Sequence, residues 1–239
     1  MPKQVMLAGA TGGIGSALLQ QLLRDSGVGR IFATTRGQPN CEHDKITWLT
    51  LDYTVAGSPQ QLVEAVTSHT AMLDQLICAT GYLHGAHGQP EKSLSALALS
   101  DMEYSYRVNA AGPMTLFSAC VPLLRKAEQA KIAVLSAQVG SIEDNHLGGW
   151  FSYRMAKAAL NMGIKSASIE AARWRNGASV VAIHPGTTHS DLSKPFVARR
   201  KQPVRSAAET GAKLYHLIQT ADAGDNGRFL TADGNSLPW

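Results

Sequence analysis

Short apolar runs separated by longer amphipathic stretches set the rhythm of this chain. Residues 5–8, 31–35, 46–51, 75–79, 131–136, 179–183 and 228–230 are brief and mostly apolar, the pattern of strands buried on both faces. Between them, residues 16–23, 59–68, 101–124, the stretch around Tyr153 and 207–219 carry helical signals. Strands alternating with helices predict one doubly wound α/β domain over residues 1–239, a parallel sheet flanked by helices on both faces, with its ligand along the carboxyl edge. Pro113 removes a backbone donor inside the 101–124 helix, which predicts a kink near Asn109 and a freed carbonyl that a water can use. The Tyr153 helix is expected to stop near Asn176-Gly177.

Composition narrows the class. A chain of 239 residues with 44% hydrophobic and 17% charged residues is long enough for a full core. The net charge of +4 suits an anionic ligand, yet the basic residues are scattered and form no stripe interleaved with aromatics, so no nucleic-acid groove is expected. Cys41, Cys78 and Cys120 contain no CxxC pair, which argues against a disulfide framework or a thiolate metal site and for a reducing compartment. No run approaches the ~20 apolar residues of a membrane span, and Gly9 interrupts the first apolar run before a signal-peptide core forms. The expectation is a soluble cytoplasmic protein with no membrane partner. His84 and His87 sit three apart in a glycine-containing loop with no third ligand nearby, so they are read as pocket or surface histidines and no metal is expected.

The candidate chemistry begins in the first turn. Gly9-Ala10-Thr11-Gly12-Gly13-Ile14-Gly15 lies between the first strand and the first helix, where glycines admit a diphosphate close to the backbone and the helix start offers unpaired N–H groups. Arg36 ends the second strand, where an acid would bind a ribose 2′-hydroxyl and an arginine accepts a 2′-phosphate; that points to NADP, against the reading of a solvated loop arginine. Asp52, after the third strand, either accepts from an adenine amino group or caps the segment beyond it. Ala79-Thr80-Gly81 closes the fourth strand, with a glycine that lets it pass close to a cofactor ribose.

Tyr153 and Lys157 are four apart in an alanine-rich helix and therefore stack on one face. A phenol of pKa near ~10 beside a fixed ammonium is drawn toward phenolate, which makes a tunable acid/base. Alone, the spacing also fits a surface pair.

Taken in order, Gly9-xxx-Gly13-Ile14-Gly15, Asp52, Asn109, Tyr153-xxx-Lys157 and Pro185-Gly186 resemble the short-chain dehydrogenase/reductase family over essentially the whole chain. The stretches 140–145 and 148–154 and the ending 233–239 resemble its C-factor-like, carbonyl-reductase-like branch. The resemblance implies a seven-stranded Rossmann sheet binding NAD(P)(H), with hydride passing between the nicotinamide and a carbonyl or alcohol carbon; with Arg36, the leading expectation is preference for NADP(H), NAD(H) staying open, and a small, fairly apolar substrate. It implies that Tyr153 is the general acid/base and that Lys157 lowers its pKa and binds the nicotinamide ribose. Asn109 would hold a proton-passing water, and Thr188 and Ser190 would hold the carboxamide. A homodimer or homotetramer through the Asn109 and Tyr153 helices is also implied.

Two departures stand out. The family's strand-five ending usually reads Ser-Ser-x-x-Gly, and here Ser136-Ala137-Gln138-Val139-Gly140 puts Ala137 at the catalytic serine. Ser136 is assigned that role, with Ser141 as another candidate. Cys78-Ala79-Thr80-Gly81 replaces the usual Asn-Asn-Ala-Gly. Residues 190–206 read as either a substrate lid or a solvated charge run. Leu83, His84, Gln138, Leu147, Trp150 and Phe196 are candidate pocket walls. The missing serine also motivates a second class, a dinucleotide-binding regulatory or signalling protein with little turnover.

Overall fold

The computed structural model describes residues 1–175, 177–197 and 204–239. Seven strands, β1 (Lys3–Ala8), β2 (Val28–Thr35), β3 (Ile46–Thr50), β4 (Gln75–Cys78), β5 (Lys131–Leu135), β6 (Ser179–His184) and β7 (Phe229–Thr231), form one sheet in the order β3-β2-β1-β4-β5-β6-β7. Every pairing is parallel. The order reverses between β1 and β4, so a crevice opens there at the carboxyl ends, the place where such sheets bind ligands.

Alternation along each strand divides the core in two. Met6, Phe32, Leu76, Ile132, Val134 and Val180 face a cluster with residues of α2 (Ser58–Thr67), α4 (Gly112–Leu124) and α5 (Phe151–Ala171). Their neighbours Val5, Leu7, Ile31, Ile77, Ala133 and Val181 face the opposite cluster, with α1 (Gly13–Arg24) and α7 (Ala207–Thr220). Side chains of period two buried on both faces explain why the strands read as unbroken apolar runs.

The segment expected as one helix over 101–124 is interrupted by a π-helical turn. α3 (Leu99–Tyr106) passes through a π-helical turn at Arg107–Ala111 into α4, with right-handed backbone throughout. The Gly112 N–H reaches back five residues to the Arg107 carbonyl, which widens the turn and turns Asn109 inward. Pro113, four residues on, has no N–H to offer the Asn109 carbonyl. Smaller findings are that α5 stops at Ala171, short of the Asn176-Gly177 signal, and that residues 194–197, within the stretch read as a lid or a charge run, form the short helix α6 (Lys194–Val197). Asn176 and residues 198–203, including Arg199, Arg200 and Lys201 of the expected lid, lie outside the described residues. No helix among the described residues is long and apolar enough to cross a membrane.

α1 and α7 lie so close that a Cβ at Gly211 would sit 2.6 Å from Ala17 Cβ and 2.9 Å from its carbonyl carbon. Glycine to alanine in a helix ordinarily stabilises by up to ~1 kcal/mol, but forcing an atom into packed backbone costs ~1–3 kcal/mol, and the second effect wins. Gly211→Ala should lower the unfolding free energy by about 1–2 kcal/mol with an unchanged denaturant slope. Stabilisation in urea titration would refute the packing account.

Candidate active site

The first turn is built for close approach. Gly9 has φ +81°, a conformation that strains any side chain, and a Cβ at Gly15 would fall 2.0 Å from the Gly9 carbonyl oxygen. α1 starts with no side-chain cap and no acid in its first turn, so its N–H groups and positive dipole end remain open to an anion. Gly13 sits against the loop after β6: its Cβ position is 3.0 Å from Ser190 Cβ.

A cleft of about 230 Å³ runs from this turn along the strand ends. Gly9, Thr11, Gly12, Arg36, Asp52, Ala79, Thr80 and Gly81 all line it, so these sequence-predicted residues come together; Tyr53, Tyr82 and Tyr104 are among its other walls. Gly13, Ile14 and Gly15 form the turn behind. Arg36 is exposed at the rim beside Asp52. Asp52 Oδ1 accepts from the Thr54 N–H (2.8 Å) and hydroxyl (2.7 Å). Those bonds, with a smaller pull from Arg36, hold its carboxyl below the ordinary range. The hydroxyls of Tyr53 and Thr80 are buried in this wall and neither makes a well-formed hydrogen bond within the protein. Anion-ready N–H groups, a glycine cradle and orphaned hydroxyls in one cleft fit a phosphate-bearing, sugar-bearing ligand.

Tyr82 also lines a second, smaller pocket with Leu83, Glu91, Ser105, Ser152 and Tyr153. Tyr153 is half-buried and Lys157 is 2% exposed. Lys157 Nζ donates to the Leu135 carbonyl at 3.0 Å and lies 5.8 Å from the Tyr153 ring centroid. Burial disfavours both charged forms. The lysine falls to about 8, with a small opposing pull from Cys78, and the Tyr153 hydroxyl is raised above its ordinary value. The spacing argument expected a lowered Tyr153; burial raises it instead, and the hydroxyl holds its proton.

Asn109 is fully buried and clamps the neighbouring loop: its Oδ1 accepts the Tyr82 N–H (2.9 Å), and its Nδ2 donates to the Tyr82 carbonyl (2.8 Å) and to Ser105 Oγ (3.2 Å). Ser105 Oγ in turn donates to the Ser152 carbonyl at 3.2 Å. Ser136, just beyond β5, donates to Asn161 Oδ1 at 2.6 Å, and Ser141 donates to the Trp239 carbonyl at 3.1 Å, so both candidate serines are engaged elsewhere. Pro185 and Gly186 follow β6, Thr188 is buried with its hydroxyl 2.8 Å from that of Thr210, and the Ser190 N–H donates to Ser193 Oγ at 3.1 Å.

Of the candidate walls, His84, Trp150 and Phe196 meet, whereas Leu147 is 92% exposed and Gln138 pairs with Asp144. Sequence reasoning missed Tyr53, Glu91 and Ser152. Glu91 is 5% exposed and accepts from the Ser152 N–H at 3.2 Å and from its hydroxyl.

The model of the short chain dehydrogenase family matches residues 3–201. The chain is 30% identical over 147 residues to C-signal of Myxococcus xanthus, covering 62% of this chain and 84% of that protein. It is 29% identical to 1-hydroxy-2-glutathionyl-2-methyl-3-butene dehydrogenase of Rhodococcus sp. (strain AD45), covering 98% and 99% of the two chains. The NADPH-bound carbonyl reductase from chicken fatty liver superposes with a TM-score of 0.87 at 26% identity, covering 99% of each chain. Strand order, glycine turn and the length of these matches agree, and the chain belongs to the short chain dehydrogenase family as an oxidoreductase of its carbonyl-reductase-like branch.

Proposed function

We propose that this oxidoreductase uses NADP(H) to interconvert a small, fairly apolar carbonyl compound and its alcohol, with Tyr153 as the general acid/base. The observation that carries this is that Tyr153, one helical turn from the buried Lys157, lines the pocket sharing Tyr82 with the glycine-turn cleft. When bound, the nicotinamide supplies or accepts the hydride at the carbonyl carbon.

The residues divide the remaining work. The N–H groups at the start of α1 and the glycine turn take the diphosphate, Arg36 takes the 2′-phosphate, Asp52 the adenine, and Thr80 the adjoining sugar. The loop holding Thr188 and Ser190 is tied against Gly13 and takes the carboxamide end. In reduction Tyr153 gives its proton to the carbonyl oxygen, and in oxidation it takes that proton back. Its raised affinity for the proton suits the protonated, reducing form of the protein. Lys157 stabilises the phenolate left behind, and Asn109 keeps the Tyr82 loop in place while its carbonyl, without the Pro113 N–H, serves a relay water. Ser136 is the proposed second donor to the substrate oxygen, on condition that it releases Asn161.

Three outcomes are expected from these roles. Titration of nicotinamide fluorescence should show tighter binding of NADPH than NADH, with Arg36→Ala weakening NADPH alone by roughly tenfold; equal losses for both cofactors would remove Arg36 from the 2′-phosphate site. Tyr153→Phe should lower kcat by about 10²-fold or more, and Ser136→Ala by roughly tenfold. Unchanged turnover in Ser136→Ala would end its assignment, and cofactor binding without turnover of aldehydes, ketones or quinones by the parent protein would favour a regulatory role.

The third outcome concerns pH. Below about 8 the buried Lys157 is charged, and above it the charge is lost, so kcat/KM for NADPH, which reports the cofactor-free protein, should fall as pH rises through about 8. Tyr153 does not cause this fall, because its raised affinity keeps it protonated there. Unfolding does not cause it either: the unfolded lysine titrates near ~10.4, so between the two values the unfolded chain binds more protons and the Lys157 contribution to stability rises with pH. A profile flat from pH 7 to pH 10 would contradict the role given to Lys157.

A further inference from the structure

Gly148, Gly149 and Trp150 run consecutively with φ of +63°, +65° and +53°. Glycine adopts this left-handed backbone freely, but Trp150 is the one non-glycine among the described residues to do so, and a bulky side chain there is strained. Such strain persists only where the surroundings over-determine it. Here the Trp150 N–H donates to the Glu91 carbonyl at 2.5 Å, and the Glu91 carboxylate, buried, binds the Ser152 N–H and hydroxyl two residues on. The strand of loop carrying Glu91 therefore fixes the backbone on both sides of the indole.

What this strain secures is the direction of the ring. The indole lies edge-on to Tyr153, with centroids 6.4 Å apart at 65°, and 5.1 Å from Phe196 of α6. Phe196 also meets His84, with centroids 5.5 Å apart, and His84 Nε2 lies 3.2 Å from the Asp191 carbonyl oxygen. An extended or right-handed Trp150 would carry the indole away from this group and from Tyr153.

We propose that Trp150 is a specificity-determining residue, an aromatic wall that favours carbonyl compounds bearing a planar, conjugated substituent over those bearing a saturated one. The proposal rests on the reading of Tyr153 as the acid that meets the carbonyl oxygen. Substituents on the carbonyl carbon then lie beside the Tyr153 ring, whose centroid is 6.4 Å from that of the indole. A flat π-system gains offset or edge-to-face contact with the indole beyond simple burial, whereas a saturated ring of the same size gains burial alone.

Benzaldehyde and cyclohexanecarbaldehyde form the matched pair, reduced with NADPH by the parent protein, Trp150→Gly and Trp150→Phe. Glycine leaves the left-handed backbone unstrained and deletes the ring; phenylalanine shrinks the ring and keeps the strain. The ratio of kcat/KM for the aromatic over the saturated aldehyde should fall roughly tenfold in Trp150→Gly, carried by KM for benzaldehyde, and by less in Trp150→Phe. Retained NADPH quenching identifies folded variants, and Trp150→Phe decides the matter if Trp150→Gly does not fold. Both substrates losing efficiency by the same factor would overturn the assignment while leaving the reductase reading in place. Turnover of neither aldehyde by the parent protein would overturn both.

Discussion

Burying the Lys157 side chain costs on the order of 3 kcal/mol at neutral pH, judged by how far desolvation depresses its proton affinity, and the site is arranged around that burial. The ammonium reaches the Leu135 carbonyl because β5 ends where α5 passes. Gly140 permits the approach: a Cβ there would stand 2.8 Å from both the carbonyl carbon and the Cβ of Lys157. The helix is pinned at its start as well, by Glu91 on the N–H and hydroxyl of Ser152 and by Ser105 on its carbonyl. Ser105 then joins Asn109, and Asn109 joins Tyr82. A short run of hydrogen bonds therefore connects the start of the Tyr153 helix to the wall of the glycine-turn cleft, and a shift in any member moves Tyr153 relative to that wall.

The parallel sheet was legible because strands buried on both faces read as continuous apolar runs, and the glycine turn marked which strand came first. Most of the cleft lining came from the same logic, since strand ends of a parallel sheet meet on one edge and Arg36, Asp52 and Thr80 each end or follow a strand. The features that stayed hidden depend on contacts far apart in sequence. Glu91 reads locally as an exposed acid in a polar loop, and nothing near it reveals that the start of α5, 61 residues away, covers it. The π-turn at Arg107–Ala111 has no residue signature of its own; Pro113 lies close by but does not reveal the extra residue that makes the turn. Trp150 was visible as an aromatic near Tyr153, but its left-handed backbone is imposed by Glu91 and its two preceding glycines.

The departure at Ala137 shows how strand geometry limits substitution. Adjacent residues at a strand end face opposite ways, so a hydroxyl at Ser136 does not simply replace one at position 137. Ser136 turns instead to Asn161, which lies on the same face of α5 as Tyr153 and Lys157, two turns beyond the tyrosine. There it fastens the helix to β5. To serve a substrate oxygen it must leave Asn161, whose Nδ2 already lacks a partner, and each buried polar group left unsatisfied costs ~1–3 kcal/mol. Any gain at the substrate is reduced by that amount. The hydroxyl of Ser136 therefore contributes first by holding the helix that carries Tyr153 and the buried Lys157 in register with the sheet.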